Sequence, residues 1–155
     1  MTPAVEALRA AGVAFEILTY DHDPAADAYG EEAADLLGLD PAAVFKTLVA
    51  DTGEGLVVAV VPVTGRLDLK ALARAVGSKR VTMADPVDAE RSTGYVVGGI
   101  SPIGQRRALP TVIDLTVTDL RQVHVSGGRR GLEIRIAPTD LVSLLRAELA
   151  PIATT

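Results

Sequence analysis

The sequence predicts an α+β fold: one domain with a mixed, mostly antiparallel, curved or barrel-like sheet and flanking helices. Three observations predict it. Helix-start signals recur along the chain, each a Thr or Asp set before a stretch of helical spacing. Two pairs of apolar runs face each other across short turn-forming segments, as hairpin strands do. Strands and helices do not alternate strictly, which sets the chain apart from a doubly wound sheet.

Thr2 with Pro3 behind it starts a first helix over Pro3 to Ala11, and Gly12 stops it. AFEILTY alternates as a strand does. The polar loop DHDPAADAYG leads to a short helix, EEAADLLG, ended by Gly38, and Asp40-Pro41 begins another helical turn. VFKTLVAD and GLVVAVVP then read as a hairpin around Thr52-Gly53-Glu54-Gly55. Asp68 caps LKALARAV, which Gly77 ends. A brief strand, RVTM, precedes ADPVDAERSTG, where Asp85 caps and Pro86 occupies the first turn. A strand-like YVV, the segment GGISPIG and the strand TVIDL follow. QVHVSGG and GLEIRIAP pair around Gly127 to Gly131, and a last helix runs from Pro138 to about Leu149, capped by Ala137 or Thr139.

The 155 residues fit one domain, 1–155, large enough to bury a core without disulfides or metal. That core is built from Val, Leu, Ile and Ala, because 48% of residues are hydrophobic but only 3% aromatic, with no Trp. The absence of Cys excludes disulfides, zinc-thiolate sites and a Cys nucleophile, and fits a reducing compartment. MTPAVEALRAAG carries neither a basic leader nor a long apolar run, and no window has the length to cross a bilayer, so the expected location is cytoplasmic, with no membrane partner. A net charge of −5 argues against nucleic-acid binding through overall charge. Three dibasic pairs, Lys79-Arg80, Arg106-Arg107 and Arg129-Arg130, stand beside turn-rich segments, and taken singly each reads as a solvated surface pair.

Lys46 is the first candidate for chemistry. Strand alternation puts Phe45, Thr47 and Val49 on one face and Lys46 with Leu48 on the other, so the ammonium is either a fixed cation for phosphate or carboxylate or a snorkelling edge-strand lysine. GGISPIG, residues Gly98 to Gly104, matches neither the dinucleotide fingerprint nor a P-loop. It is a bend between strands or a cradle of outward N–H groups that grips a carbonyl or an oxyanion, stiffened by Pro102. His22 and His124 lack metal-ligand spacing, so no metal and no cofactor are expected. Ser101 lacks the strand-to-helix elbow of a hydrolase nucleophile, and no Ser/His/Asp set stands out. Tyr20, Tyr29 and Tyr95 border these polar segments, as a pocket rim or as ordinary packing.

Taken together, MTPAVEAL, TYDHDP, VFKTLV, LDLKALA, MADP, RSTGYVVGGISPIGQRRALPTVID and VSGGRRGLEI resemble the YbaK/EbsC family, in particular its bacterial Cys-tRNA(Pro) deacylases, over nearly the whole chain. The resemblance implies hydrolysis of the ester joining a mischarged amino acid to the terminal adenosine of tRNA, where size alone excludes cysteine poorly from a prolyl site. It implies a catalytic set of Lys46, Gly99, Ile100 and Ser101, with Tyr20, Tyr29, Thr47, Gly98, Pro102, Ser126 and Glu133 binding substrate. The Gly-x-x-x-Pro loop, here Gly98 to Pro102, helps form the aminoacyl pocket in that family. Tyr29 falls where these deacylases often carry phenylalanine, and Glu133 where aspartate is common.

The mechanism implied for Cys-specific members is substrate-assisted: the cysteine thiol attacks its own ester, and the protein positions and stabilises charge. The expected activity is trans-editing of Cys-tRNA(Pro), extending to Cys-tRNA(Cys). An Ala-tRNA(Pro) deacylase and a non-catalytic module for an aminoacyl-adenosine or a protein are the alternatives. Net acidity and scattered basic pairs imply a weak intrinsic grip on tRNA, and hence transient help from prolyl-tRNA synthetase.

Overall fold

In the computed structural model, residues 1–26 and 29–155 are described, and the side chain of Tyr29 lies outside the described residues. In chain order the elements are α1 (Pro3–Ala11), β1 (Phe15–Thr19), α2 (Tyr29–Leu37), β2 (Phe45–Asp51), β3 (Leu56–Pro62), β4 (Arg66–Leu67), α3 (Leu69–Val76), β5 (Thr82–Met83), α4 (Pro86–Thr93), β6 (Thr111–Asp114), β7 (Val123–Ser126), β8 (Leu132–Ile136), α5 (Pro138–Leu145), β9 (Glu148–Ala150) and β10 (Ala153–Thr154). Short 3-10 turns at Pro41–Ala43 and Leu115–Asp119 complete them.

The expected caps are in place. Thr2 accepts from the Val5 N–H, Asp68 from Lys70 and Ala71, and Asp85 from Val87, each satisfying N–H groups that an uncapped helix leaves orphaned. Gly12, Gly77 and Gly94 close the same three helices in the left-handed conformation.

A five-stranded sheet ordered β5-β2-β3-β6-β9 forms the centre. The β2–β3 hairpin pairs Phe45 with Pro62 through Asp51 with Leu56, whereas β3–β6 and β6–β9 are parallel. A three-stranded antiparallel sheet, β1-β8-β7, lies against one face. Between them sits the main core, where Val58, Val60 and Ile113 meet Val125, Leu132 and Ile134, closed at one end by Val5 and Leu8 of α1. The other face packs Val57, Ala59 and Val61 on Leu72 of α3 and on Ile152. LVVAVVP is therefore apolar on both sides because both sides are covered. Each fully buried Val or Leu contributes roughly 1.5–3 kcal/mol as an upper estimate.

The α+β class is borne out, with mixed strand directions and three sheets, none closed into a barrel among the described residues. Two elements differ from expectation. YVV is not a strand: Tyr95 turns into the core at 4% exposure while Val96 and Val97 face outward, and the chain stays irregular to Pro110. The last helix stops at Leu145 rather than near Leu149. Arg146 adopts φ 50°, its N–H returns to Ser143 and Val142, and Glu148–Ala150 leave as β9 beside β6. Pairing with an open sheet edge outweighs a helical continuation that sequence spacing alone favours.

Candidate active site

The two sheets and the irregular segment after α4 enclose a cavity of about 440 Å³. Its floor is the start of β2, Phe45 to Val49. One wall is the bend at Gly98 and Ile100, the adjoining wall the turn from Ser126 to Glu133, and Tyr20 also lines it.

The bend is held from behind. The Tyr95 phenol donates to the Ile103 carbonyl at 2.6 Å, and burial pushes its pKa up to about 12, so it remains a donor. The Gly99 N–H returns to Val96 at 2.9 Å, and Glu90 accepts from the Val97 N–H at 2.8 Å. At Gly104, with φ 68°, a Cβ would lie 2.5 Å from the Pro3 carbonyl oxygen, so only glycine lets α1 approach this closely. The two walls are also fastened together. Ser126 Oγ donates to the Gly99 carbonyl at 3.1 Å, and Arg130 Nη2 donates to Val97 at 3.3 Å. A Cβ on Gly99 would come within 3.0 Å of Arg129 Cα.

Of the residues expected in the site, Lys46, Thr47, Tyr20, Gly98, Ile100, Ser126 and Glu133 line one cavity. Gly99, Ser101 and Pro102 lie behind its wall. Gly99 spends its N–H on Val96, while Ser101, at 0% exposure, accepts from the Ile103 N–H and its carbonyl accepts from Gln105. Among the described residues, the N–H groups of Gly98 and Ile100 meet no acceptor, so both are free main-chain donors of the bend. Tyr29 belongs to α2 by its backbone, but its side chain lies outside the described residues. Tyr95 serves the core rather than the rim.

Among the described residues, two buried polar side-chain atoms of the cavity lining have no hydrogen-bond partner, Thr47 Oγ1 and Glu133 Oε2. An orphaned buried group costs about 1–3 kcal/mol, and both of these belong to residues that line the same cavity. Burial pushes the Glu133 carboxyl up to about 8. The Tyr20 phenol is raised as well, first by burial, with the charges of Glu133 and Glu32 adding to it.

Sequence reasoning did not foresee the brace at the rim. His22 Nδ1 donates to Glu32 Oε1 at 2.7 Å, Asp23 N–H donates to Glu32 Oε2 at 2.9 Å, and Arg130 Nη1 lies 3.5 Å from His22 Nε2. Burial works to raise the Glu32 pKa, but these hydrogen bonds outweigh it and leave it lowered. The Arg129-Arg130 pair was the available signal, since both arginines line the cavity. His124 plays no part there. Its Nδ1 donates to the Ala43 carbonyl and its Nε2 accepts from Arg135, both at 3.0 Å.

Chemically, among the described residues the lining supplies a half-buried Lys46, the free N–H groups of Gly98 and Ile100 and the unpartnered oxygens of Thr47 and Glu133, and it holds no imidazole. Ser126 Oγ already donates to Gly99 and accepts from the Gly128 N–H, so its proton is committed to the main chain. Among the described residues no cluster of three metal-ligating side chains occurs.

A family model for the aminoacyl-tRNA editing domain matches residues 22–144. The chain belongs to the aminoacyl-tRNA editing domain family. The matched region contains every cavity-lining residue named above except Tyr20. An Enterococcus faecalis relative, named "Putative Cys-tRNA(Pro)/Cys-tRNA(Cys) deacylase EbsC", is 42% identical over 125 residues, covering 80% of this chain and 76% of that one. A proline-tRNA ligase of Kosmotoga olearia is 30% identical over 101 residues, but these make up only 17% of its length against 65% of this chain. Among solved structures, a "putative trans-editing enzyme for prolyl tRNA synthetase" superposes with a TM-score of 0.86 at 26% identity, covering 100% of this chain and 99% of that one.

Proposed function

We propose that this protein is a trans-editing deacylase, one editing domain over residues 1–155, which removes cysteine from mischarged tRNA(Pro) and also from tRNA(Cys). The observation that carries the reading is the cavity itself: among the described residues its lining brings together Lys46, the free N–H groups of Gly98 and Ile100 and the unpartnered oxygens of Thr47 and Glu133, and it holds no cysteine and no histidine. Likeness to an EbsC-named relative over 80% of the chain supports the substrate class.

In this reading the N–H groups of Gly98 and Ile100 receive the ester carbonyl and the oxyanion it becomes, and donors placed in advance favour that developing charge. Gly99, Ser101 and Pro102 act as positioning residues that hold those donors. Lys46 meets the phosphate or ribose of the terminal adenosine. Thr47 Oγ1 and Glu133 Oε2 take the α-ammonium of the aminoacyl group, whose charge draws the Glu133 proton off. Tyr20 and Ser126 shape the remaining walls.

The attacking atom comes with the substrate. The cysteine thiol gives its proton to water, its sulfur bonds to the ester carbonyl carbon, and the bond from that carbon to the ribose oxygen breaks. The ribose oxygen takes up a proton, releasing tRNA and the cysteine thiolactone, which water opens to free cysteine. Orientation of sulfur against carbonyl inside a fixed cavity supplies the acceleration. The protein works in the cytoplasm, with prolyl-tRNA synthetase presenting the substrate transiently.

Single-turnover deacylation of Cys-tRNA(Pro), Ser-tRNA(Pro) and Ala-tRNA(Pro) tests the reading. The expected result is hydrolysis of the cysteinyl ester with rates at least about tenfold lower for the other two, which lack the sulfur. Equal rates would remove thiol assistance. A preference for alanine would make the protein an alanine editor, and tight binding without turnover a recognition module.

A further inference from the structure

A second concavity, a broad cleft of about 1000 Å³, lies at the far end of the β2–β3 hairpin. Lys79, Arg80, Arg107 and Arg146 line it against only Glu54 and Glu148. Two dibasic pairs that look scattered in the sequence thus send three of their four cations to this cleft, on a chain whose net charge is −5. All four lining cations are exposed, and among the described residues none of them is ion-paired. The backbone around Arg107 is fixed, because the N–H groups of Arg106 and Arg107 are bonded to Thr93 and Ser92 at the end of α4. Arg146 holds φ 50°, the one non-glycine residue at positive φ among the described residues, at a helix end where glycine would be unstrained.

The cleft adjoins the editing cavity along one chain segment. Arg80 lines the cleft and Met83 the cavity, and three residues span at most about 11 Å. We infer that the cleft grips the phosphate backbone of the double-stranded acceptor stem of tRNA while the single-stranded 3′ end crosses to the cavity. This inference rests on the deacylase reading for its ligand. Four unpaired cations on a fixed concave surface suit a polyanion of regular spacing, and each phosphate neutralised releases counterions. Contacts of this kind position the stem without reading its sequence.

The test is equilibrium binding of an uncharged acceptor-stem hairpin RNA carrying the single-stranded 3′ end, across a salt series, to the full chain and two variants. Lys79→Ala/Arg80→Ala/Arg107→Ala removes three cations. Arg146→Gly removes one while relieving the strained backbone, so weakened binding there does not come from failed folding. The expected result is at least about tenfold weaker binding by the triple variant, with the slope of log affinity on log salt reduced by roughly 0.9 for each phosphate no longer neutralised. Arg146→Gly should weaken binding while the melting temperature holds or rises.

A cysteinyl ester of adenosine, which has no stem, should be cleaved equally by all three proteins. Unchanged affinity and slope in both variants would overturn the inference, as would a loss that appears only when synthetase is added, which would make the cleft a protein-binding surface. If wild type binds the hairpin through these cations but cleaves no aminoacyl ester, the deacylase reading fails and the cleft assignment stands.

Discussion

Two buried carboxylates, one in each of the two larger sheets, are treated differently. Asp114, at the end of β6, is 3% exposed and fully engaged: Oδ1 accepts from the Ile152 and Ala153 N–H groups at 2.9 and 3.0 Å, and Oδ2 from the Thr116 hydroxyl at 2.6 Å. It pins the C-terminal segment to the central sheet. Glu133, in β8, is 5% exposed and belongs to the cavity lining, yet its Oε2 has no partner. The same chemical group is structural where its hydrogen bonds are complete. Where one is left open, the fold carries a cost that only a ligand offsets.

Removing Asp114 should give the largest effect on stability. Asp114→Ala strands three main-chain N–H groups, those of Thr116, Ile152 and Ala153, and a hydroxyl, and should cost about 3 kcal/mol, or roughly 6–12 °C in Tm, with deacylation per folded molecule unchanged. Thermal melting and active-fraction-corrected rates check this, and an equal loss of activity would show that the two carboxylates are coupled.

Glu133→Gln should do the reverse, lowering the deacylation rate about 10–100-fold by removing the charge proposed to meet the substrate ammonium, without destabilising the free protein. Its pH signature has a definite sign. The folded carboxyl titrates near 8, against an ordinary value of 4.5, so between these the native state keeps a proton that the unfolded chain has released. Wild-type stability should therefore fall as pH rises from about 4.5 toward 8, and the glutamine variant should lose that slope. Parallel slopes in chemical denaturation would mean that Glu133 finds a partner within the fold.

Thr47→Val should be the smallest of the three. Replacing an orphaned hydroxyl by a methyl of the same shape should leave stability unchanged or raise it by about 1 kcal/mol, while weakening substrate binding several-fold, read as KM rather than kcat. A destabilised valine variant would show that Thr47 is already satisfied.

Local rules carried most of the fold. Asp68, Asp85 and Thr2 announce their helices because capping is an interaction within a few residues, and β2 and β3 pair around a turn that four residues specify. The elements that escaped were decided by distant partners. Tyr95 leaves its apparent strand because its phenol reaches Ile103 and its ring packs beside Gly128, and Glu148 leaves its apparent helix to join β6. In the site, Lys46 and the glycine segment were legible from residue type and alternation. The orientation of the segment was not. Which N–H groups face a ligand depends on Gly99 turning back to Val96, a choice set by Ser126 and Arg129 nearly 30 positions away. The identity of Glu133 as an unpartnered acid became visible only once burial was known.

The link between Ser126 and Gly99 carries a further consequence. Segments that are latched to each other do not drift separately, so the receptacle is already shaped before anything enters and little ordering entropy is lost on arrival. Retuning such a receptacle for a different acyl group would proceed by exchanging single inward side chains, at positions such as 47 and 133, while lengthening either segment would spoil both at once.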